Sequence, residues 1–367
     1  MDIQAYLQSY LSAYTPYKTY WNYEDGCVLS GCVALYRATG GSQWRDFVLR
    51  YLESRVTPAG DIPSYEDAQY NIDSINCGKA LFYAYEQTGD ARYRKAIEYI
   101  MERLRAHPRC ACRSFWHKSI YPNQIWLDGL YMAQPFYMEY EMKFGGKANV
   151  SDIVSQFKNV RKLMYDAEKG LYYHAYDETL SQPWASPLTG CSPNFWLRSM
   201  GWYLMALCDC LSLIDEQLFE HYKALESLFK EAVRGLARYR SKKTGLFFQV
   251  IDRAAEPGNY TETSGSAMIA YALLKGARIG VLNDEHYTPL GCDIFESLVR
   301  EKLRVVEGKP ALTDICQVAG LGPGAQRDGS VAYYLSEPRA ADDAKGVGPF
   351  MMAYAEYLAC EEAAIGG

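Results

Sequence analysis

Apolar residues recur every three to four positions over long stretches of this chain. The segments near 44–55, 76–88, 91–105, 127–143, 151–164, 198–214, 219–239, 264–279, 291–303 and 346–362 read as helices on that spacing. Strict alternation is scarce: only Gly170 to Tyr176 and Gly245 to Val250 read as short strands. A loose repeat runs through the helices. A small residue opens a helix, an aromatic-rich stretch follows, and the helix stops near glycine. The openings are Gly31, Gly78, Gly129, Gly201, Gly265 and Gly348. Gly40 and Gly89, each after a threonine, fit left-handed helix caps, and Asp90 fits an N-cap for the next helix. Six openings predict six helical hairpins that bury their apolar faces on one another. They close into an all-α toroid with six inner and six outer helices, or stack as an open solenoid. The gaps widen unevenly and carry Trp- and Gly-rich loops, where an open solenoid would keep a regular period. One domain over 1–367 is expected.

Of the 367 residues, 49% are hydrophobic and 22% charged, enough for a large core. The net charge is -6 and no basic stripe is visible, so nucleic acid is not expected as a partner. No run of 18 apolar residues exists, so no membrane span is expected. The start, Met1-Asp2-Ile3-Gln4-Ala5, lacks the basic and apolar regions of an export signal, which predicts a cytoplasmic protein. Several of the 11 cysteines sit in apolar runs (Cys27, Cys32, Cys77, Cys208) and read as reduced core thiols. The two C-x-C pairs, Cys110/Cys112 and Cys208/Cys210, lack the spacing of a zinc site, and no metal is expected.

The loops before the inner helices hold the candidate chemistry. Six of the seven tryptophans, Trp21, Trp116, Trp126, Trp184, Trp196 and Trp202, lie in or between them, beside Asp, His and Arg. Core helices could use Leu or Ile without a polar edge to satisfy. Trp at polar loop–helix junctions therefore suggests a sugar-stacking cleft, with Trp21 and Tyr23 from the first loop among its walls. Asp73 and Asp128 stand at equivalent points of consecutive hairpins. Either could be a simple N-cap; as a pair they are what glycoside chemistry commonly uses. Arg198 between Trp196 and Trp202, and Lys118 after His117, suit an anionic ligand or an internal ion pair. His117 and His174 show no metal-binding spacing and read as hydrogen-bonding groups.

At these residues the chain resembles the unsaturated rhamnogalacturonyl hydrolases, glycoside hydrolases of family 105 with an (α/α)6-barrel fold. The resemblance rests on Asn71-Ile-Asp-Ser74, Phe115-Trp-His-Lys118, Ile125-Trp-Leu-Asp-Gly-Leu-Tyr-Met132 and His174-Ala-Tyr-Asp177. It continues through Trp196-Leu-Arg-Ser-Met-Gly-Trp202, Glu262-Thr-Ser-Gly-Ser266 and Lys345-Gly-Val-Gly-Pro-Phe350. It implies an enzyme that removes a terminal 4,5-unsaturated galacturonyl residue from lyase-cut rhamnogalacturonan, a pectin component. Asp128 is then the general acid/base and Asp73 its partner. His174, Arg198 and Trp202, with His117 and Lys118, then bind the sugar, and no cofactor is required; Trp126 and Trp196 join them as stacking tryptophans of the cleft. The partner is a small oligosaccharide, and the protein a monomer or weak homodimer. The related unsaturated glucuronyl hydrolases share fold and chemistry and fit the same blocks. From the residues alone, a sugar isomerase or epimerase and a non-catalytic sugar-binding toroid remain open.

Overall fold

A computed structural model describes residues 2–366, with side chains through 361. In chain order the helices are α1 (Ile3–Ala13), α2 (Tyr23–Thr39), α3 (Ser42–Arg55), α4 (Lys79–Thr88), α5 (Ala91–Arg105), α6 (Leu127–Lys143) and α7 (Val150–Met164). They continue with α8 (Leu197–Leu213), α9 (Phe219–Ala237), α10 (Thr263–Arg278), α11 (Asp284–Lys302), the short α12 (Val331–Ser336) and α13 (Ala344–Gly366). A 3-10 turn, Ile72–Gly78, leads into α4.

The inner layer is α2, α4 with its 3-10 turn, α6, α8, α10 and α13, each packed on the next, and α13 returns to pack on α2. That last contact closes the ring and rules out the open solenoid. The outer layer alternates with it: α3, α5, α7, α9 and α11 each pack on the inner helix before them. The aromatic contact Tyr6–Phe350 sets α1 against α13. The two layers differ in sequence for a physical reason. Inner helices are covered on all sides, so nearly all of Leu197–Leu211 is buried and charge is rare. Outer helices bury one stripe: in α5 it is Tyr93, Ala96, Ile97, Ile100, Met101 and Leu104, at helical spacing.

The opening glycines mark close inner contacts. A Cβ on Gly31 would stand 2.8 Å from Met351 Cβ and 3.0 Å from the Gly348 carbonyl, and one on Gly265 would stand 2.5 Å from Leu197 Cγ. Gly40 and Gly89 end α2 and α4 at φ 66°, and Asp90 caps α5 by accepting from Arg92 N, as the sequence predicts.

Four expectations need correction. α1 and α2 fall outside the periodic segments, and only the part of α2 from its opening Gly31 is anticipated, by the repeat. The helix expected over 291–303 starts at Asp284 and runs through Pro289, which removes one intrahelical N–H donor in the second turn without ending the helix. The strand expected over 170–176 is two pieces. Leu171–Tyr172 pairs with Tyr165–Asp166, and Ala175–Asp177 pairs antiparallel with Gln124–Trp126. The segment 245–250 forms isolated bridges, Phe248 to Thr261 and Val250 to Trp196.

Candidate active site

The loops entering the inner helices meet at one rim around a cavity of about 180 Å³. Backbone bonds fix their positions. Leu127 N, at the start of α6, donates to His174 O (3.1 Å), and Leu197 N, at the start of α8, donates to Gln249 O (3.0 Å). The pairing of Trp126 with Ala175 and the bridge of Trp196 to Val250 extend these two clamps. The short strands therefore hold the tryptophans that precede the inner helices. Gln124 accepts from Trp126 Nε1 (3.0 Å), and Gln249 accepts from Trp196 Nε1 (3.1 Å). Both indole N–H groups are thus satisfied within the protein; His117 stacks on the Trp126 ring and the Arg198 guanidinium lies over the Trp196 ring, so each meets the cavity only by its remaining surface.

Asp73 and Asp128 both line this cavity. Neither is an N-cap. Asn71 caps the 3-10 turn through Asp73 N, and α6 has no side-chain cap. Asp73 lies 2.8 Å from Lys118 Nζ and 3.6 Å from His117 Nε2. Burial alone would push its carboxyl up, but the Lys118 ammonium and His117 outweigh that and hold it below the usual carboxylate range. Asp73 is therefore a carboxylate. His117 is itself pushed down to about 4 by burial, so its imidazole is neutral near pH 7. It stacks on Trp126 with centroids 4.3 Å apart and planes within 5°.

Asp128 is held differently. Its Oδ2 lies 3.3 Å from His174 Nε2, yet both atoms are buried without a hydrogen-bond partner. His174 is wholly enclosed, and its Nδ1 shares a 2.8 Å hydrogen bond with the Tyr334 hydroxyl. The carboxyl of Asp128 is thus sheltered but left without hydrogen bonds, whereas Asp73 is neutralised by a lysine. Two carboxyl groups in one cavity with different surroundings suit a division of labour between proton donor and anchor.

The cavity also brings together Tyr23, His117, Lys118, Trp126, Trp196, Arg198 and Trp202. Arg198 is buried and donates to the carbonyls of Cys316 and Gln317 (3.4 Å for the latter) and to Ser264 Oγ (3.3 Å). Its guanidinium lies over the Trp196 ring, 4.8 Å from the centroid. Among the described residues no carboxylate forms an ion pair with it. Two sequence candidates lie outside the cavity lining. Trp21 is buried with Nε1 donating to Ser74 O (2.8 Å), so it braces the turn that carries Asp73. His174 stands behind Asp128 and touches Trp126 and Trp196 edges, with ring centroids at 5.3 and 4.7 Å. Trp116 and Trp184 likewise do not line the cavity, although both stand in the same group of loops.

Sequence reading missed part of the wall. Lys18 and Glu24, paired at 2.8 Å, and Tyr121, Met132, Val318, Ala319, Gly320 and Arg327 also line the cavity. Glu24 and Tyr121 lie beside quoted loop residues and were within reach. Residues 318–327 belong to a Gly/Pro-rich connection with no helical or strand period, so nothing local announces that it folds over the mouth. Arg198 holds this connection by its carbonyls.

A family model described as Glycosyl Hydrolase Family 88 matches residues 3–360. A family 105 glycoside hydrolase from C. acetobutylicum ATCC 824 has a similar structure, with TM-score 0.92 and 38% identity, covering 96% of this chain and 98% of that one. Protein Atu3128 of Agrobacterium fabrum is 43% identical over 235 residues, 62% of this chain and 98% of that protein. The unsaturated rhamnogalacturonyl hydrolase YesR of Bacillus subtilis is 23% identical over 268 residues, 71% of this chain and 72% of that protein.

Proposed function

We propose, for a chain that belongs to Glycosyl Hydrolase Family 88, that the cavity removes a terminal 4,5-unsaturated galacturonyl residue from rhamnogalacturonan fragments left by a lyase. The observation that carries this reading is the contrast between the two carboxyl groups: Asp128 half-buried, with its Oδ2 enclosed and unpaired among the described residues, and Asp73 charged and braced by Lys118. An acid beside a fixed anion serves either protonation of a carbon–carbon double bond or ordinary glycosidic cleavage, and the likeness to YesR favours the former.

In this reading the sugar ring lies against the cavity-facing parts of Trp126, Trp196 and Trp202. The protonated Asp128 gives its proton to C4 of the vinyl ether, and the electron pair of the double bond forms the new C4–H bond. The positive charge is shared between C5 and the ring oxygen, close to the Asp73 carboxylate. A water attacks C5 while the Asp128 carboxylate takes up one of its protons, which restores the acid. The resulting hemiketal opens, and the neighbouring sugar leaves from a 5-keto-4-deoxyuronate. One water is consumed, and the protons balance without a cofactor. A general acid/base of this kind contributes about 10²–10⁴-fold. Arg198 in the wall and Arg327 at the mouth form no ion pair with the described carboxylates, and here they supply counter-charge for the uronate. The resemblance to YesR supports the rhamnogalacturonan substrate; the family supports the glycosidase.

The test is turnover, followed by loss of enol-ether absorbance, on an unsaturated galacturonyl-rhamnose disaccharide beside unsaturated glucuronyl disaccharides. Preference for the first is expected. Turnover confined to glucuronyl substrates would move the assignment to that sister activity, and turnover of neither would remove the proposal.

A further inference from the structure

A second cavity, of about 250 Å³, lies inside the ring and is lined by all six inner helices. It sits back to back with the first. Trp202 lines the catalytic cavity and Tyr131 lines the second one, and their rings stack at 4.7 Å with planes 18° apart. That stack is the partition between the two.

The second cavity has an unbalanced charge. Four cations line it, Arg37, Lys79, Lys143 and Lys275, against two carboxylates, Glu139 and Asp209. Lys143 pairs with Glu139 at 2.7 Å, and Lys275 pairs with Asp209 at 2.7 Å. Arg37 has Glu86 at 3.7 Å. Lys79 alone has no carboxylate within ion-pair distance among the described residues. Its ammonium lies 3.3 Å from the Tyr131 ring centroid and donates to Tyr131 O at 2.6 Å, which occupies one of its three N–H groups.

We propose that this cavity binds a small carboxylate anion, with its charged end on Lys79 and its body against Ala80, Pro135 and Met352. One unpaired ammonium matches one negative charge. A phosphate dianion would be left with one charge unmatched. The Tyr271 hydroxyl and Lys275, already joined at Asp209, form the opposite polar edge.

The groups facing Lys79 come from every inner helix around it and give the site a pH signature. Burial lowers the Lys79 ammonium to about 7; Asp209 pulls it up, and Lys275 pulls it further down. Tyr131 and Glu139 from α6 and Arg37 from α2 complete its surroundings. A bound carboxylate favours the charged amine. Binding above pH 7 therefore takes up a proton, and affinity falls as pH rises through 7 to 8.

The probe is propionate, titrated calorimetrically into the intact protein at pH 7.5 in two buffers of different ionisation heat, with inorganic phosphate as the comparison. Propionate is expected to bind with net proton uptake and more tightly than phosphate. Lys79→Met is expected to weaken it about tenfold or more, the scale of one charged hydrogen bond. Propionate held in the catalytic cavity would instead survive Lys79→Met and weaken in Arg327→Ala. That outcome overturns the proposal, as does tighter binding of phosphate or the absence of any binding. Should Lys79→Met fold poorly, the wild-type protein still decides it: an affinity that does not change between pH 6 and 8 is incompatible with Lys79 as the anchor.

Discussion

Asp128 Oδ2 and His174 Nε2 stand 3.3 Å apart, and both are buried with no hydrogen bond. The other imidazole nitrogen is engaged with the Tyr334 hydroxyl, so the ring cannot turn away freely. An acid in this setting is positioned but uncommitted, which is what a proton donor to carbon requires. On the proposed mechanism, Asp128→Asn is expected to lower kcat by about 10²-fold or more while the fold persists, since it removes the proposed acid/base group and no structural bond. Near-normal turnover by the asparagine variant, with circular dichroism matching the wild type, would take Asp128 out of the chemistry.

Lys118 tests the role assigned to Asp73. Lys118→Met removes the ammonium 2.8 Å from Asp73, and burial then pushes the carboxyl up. If turnover needs Asp73 ionised, the acidic limb of the pH–rate profile moves to higher pH. An unshifted limb, with kcat merely scaled down, would show that Lys118 acts on something other than Asp73's charge.

Arg198 and Arg327 separate by their surroundings. Arg327→Ala is expected to raise KM and leave kcat largely intact, with the ~1.5–3 kcal/mol typical of a charged hydrogen bond lost from binding. Arg198→Lys keeps the charge but loses the fork that holds the carbonyls of Cys316 and Gln317. Its KM should rise as well, and the 317–328 connection should be cut faster by protease. A protease pattern identical to the wild type would mean the carbonyl contacts do not hold that connection in place.

Acid should weaken the fold in part through its buried histidines. Burial lowers both His107 and His117 to about 4, against an ordinary value of 6.5. The unfolded chain therefore binds more protons between these values. The neutral rings stabilise the fold fully above pH 6.5, and that contribution is lost as pH falls toward 4, on the order of 3 kcal/mol for each ring. Tm measured from pH 7.5 down to 4.5 should drop steeply, and His107→Gln should flatten the slope. A Tm that is level across this range would contradict the burial of both rings.

Gly265→Ala tests ring packing, because the new Cβ would stand 2.5 Å from Leu197 Cγ on the neighbouring inner helix. A loss of about 1–3 kcal/mol is expected, as for other overpacked sites, and chemical denaturation would measure it. An unchanged midpoint would mean that α8 and α10 can separate at no cost.

The amino-acid sequence by itself determined the helices, their glycine stops and the hairpin count, because these depend on spacing within one element. It also carried Asp73, Asp128 and the tryptophans at helix openings, since a polar residue beside Trp at a loop–helix junction is a local pattern. The tertiary structure decided the rest. Ring closure is a contact between α13 and α2, elements some 300 residues apart, and no local spacing encodes it. Trp21 and Trp126 occupy similar loops, yet only packing turns one toward Ser74 and the other toward the cavity. Arg327 reaches the mouth because Arg198 holds the carbonyls of a connection that has no period of its own. The charge on Asp73 depends on Lys118, brought to it from another loop, since electrostatics follows distance in space and not distance along the chain.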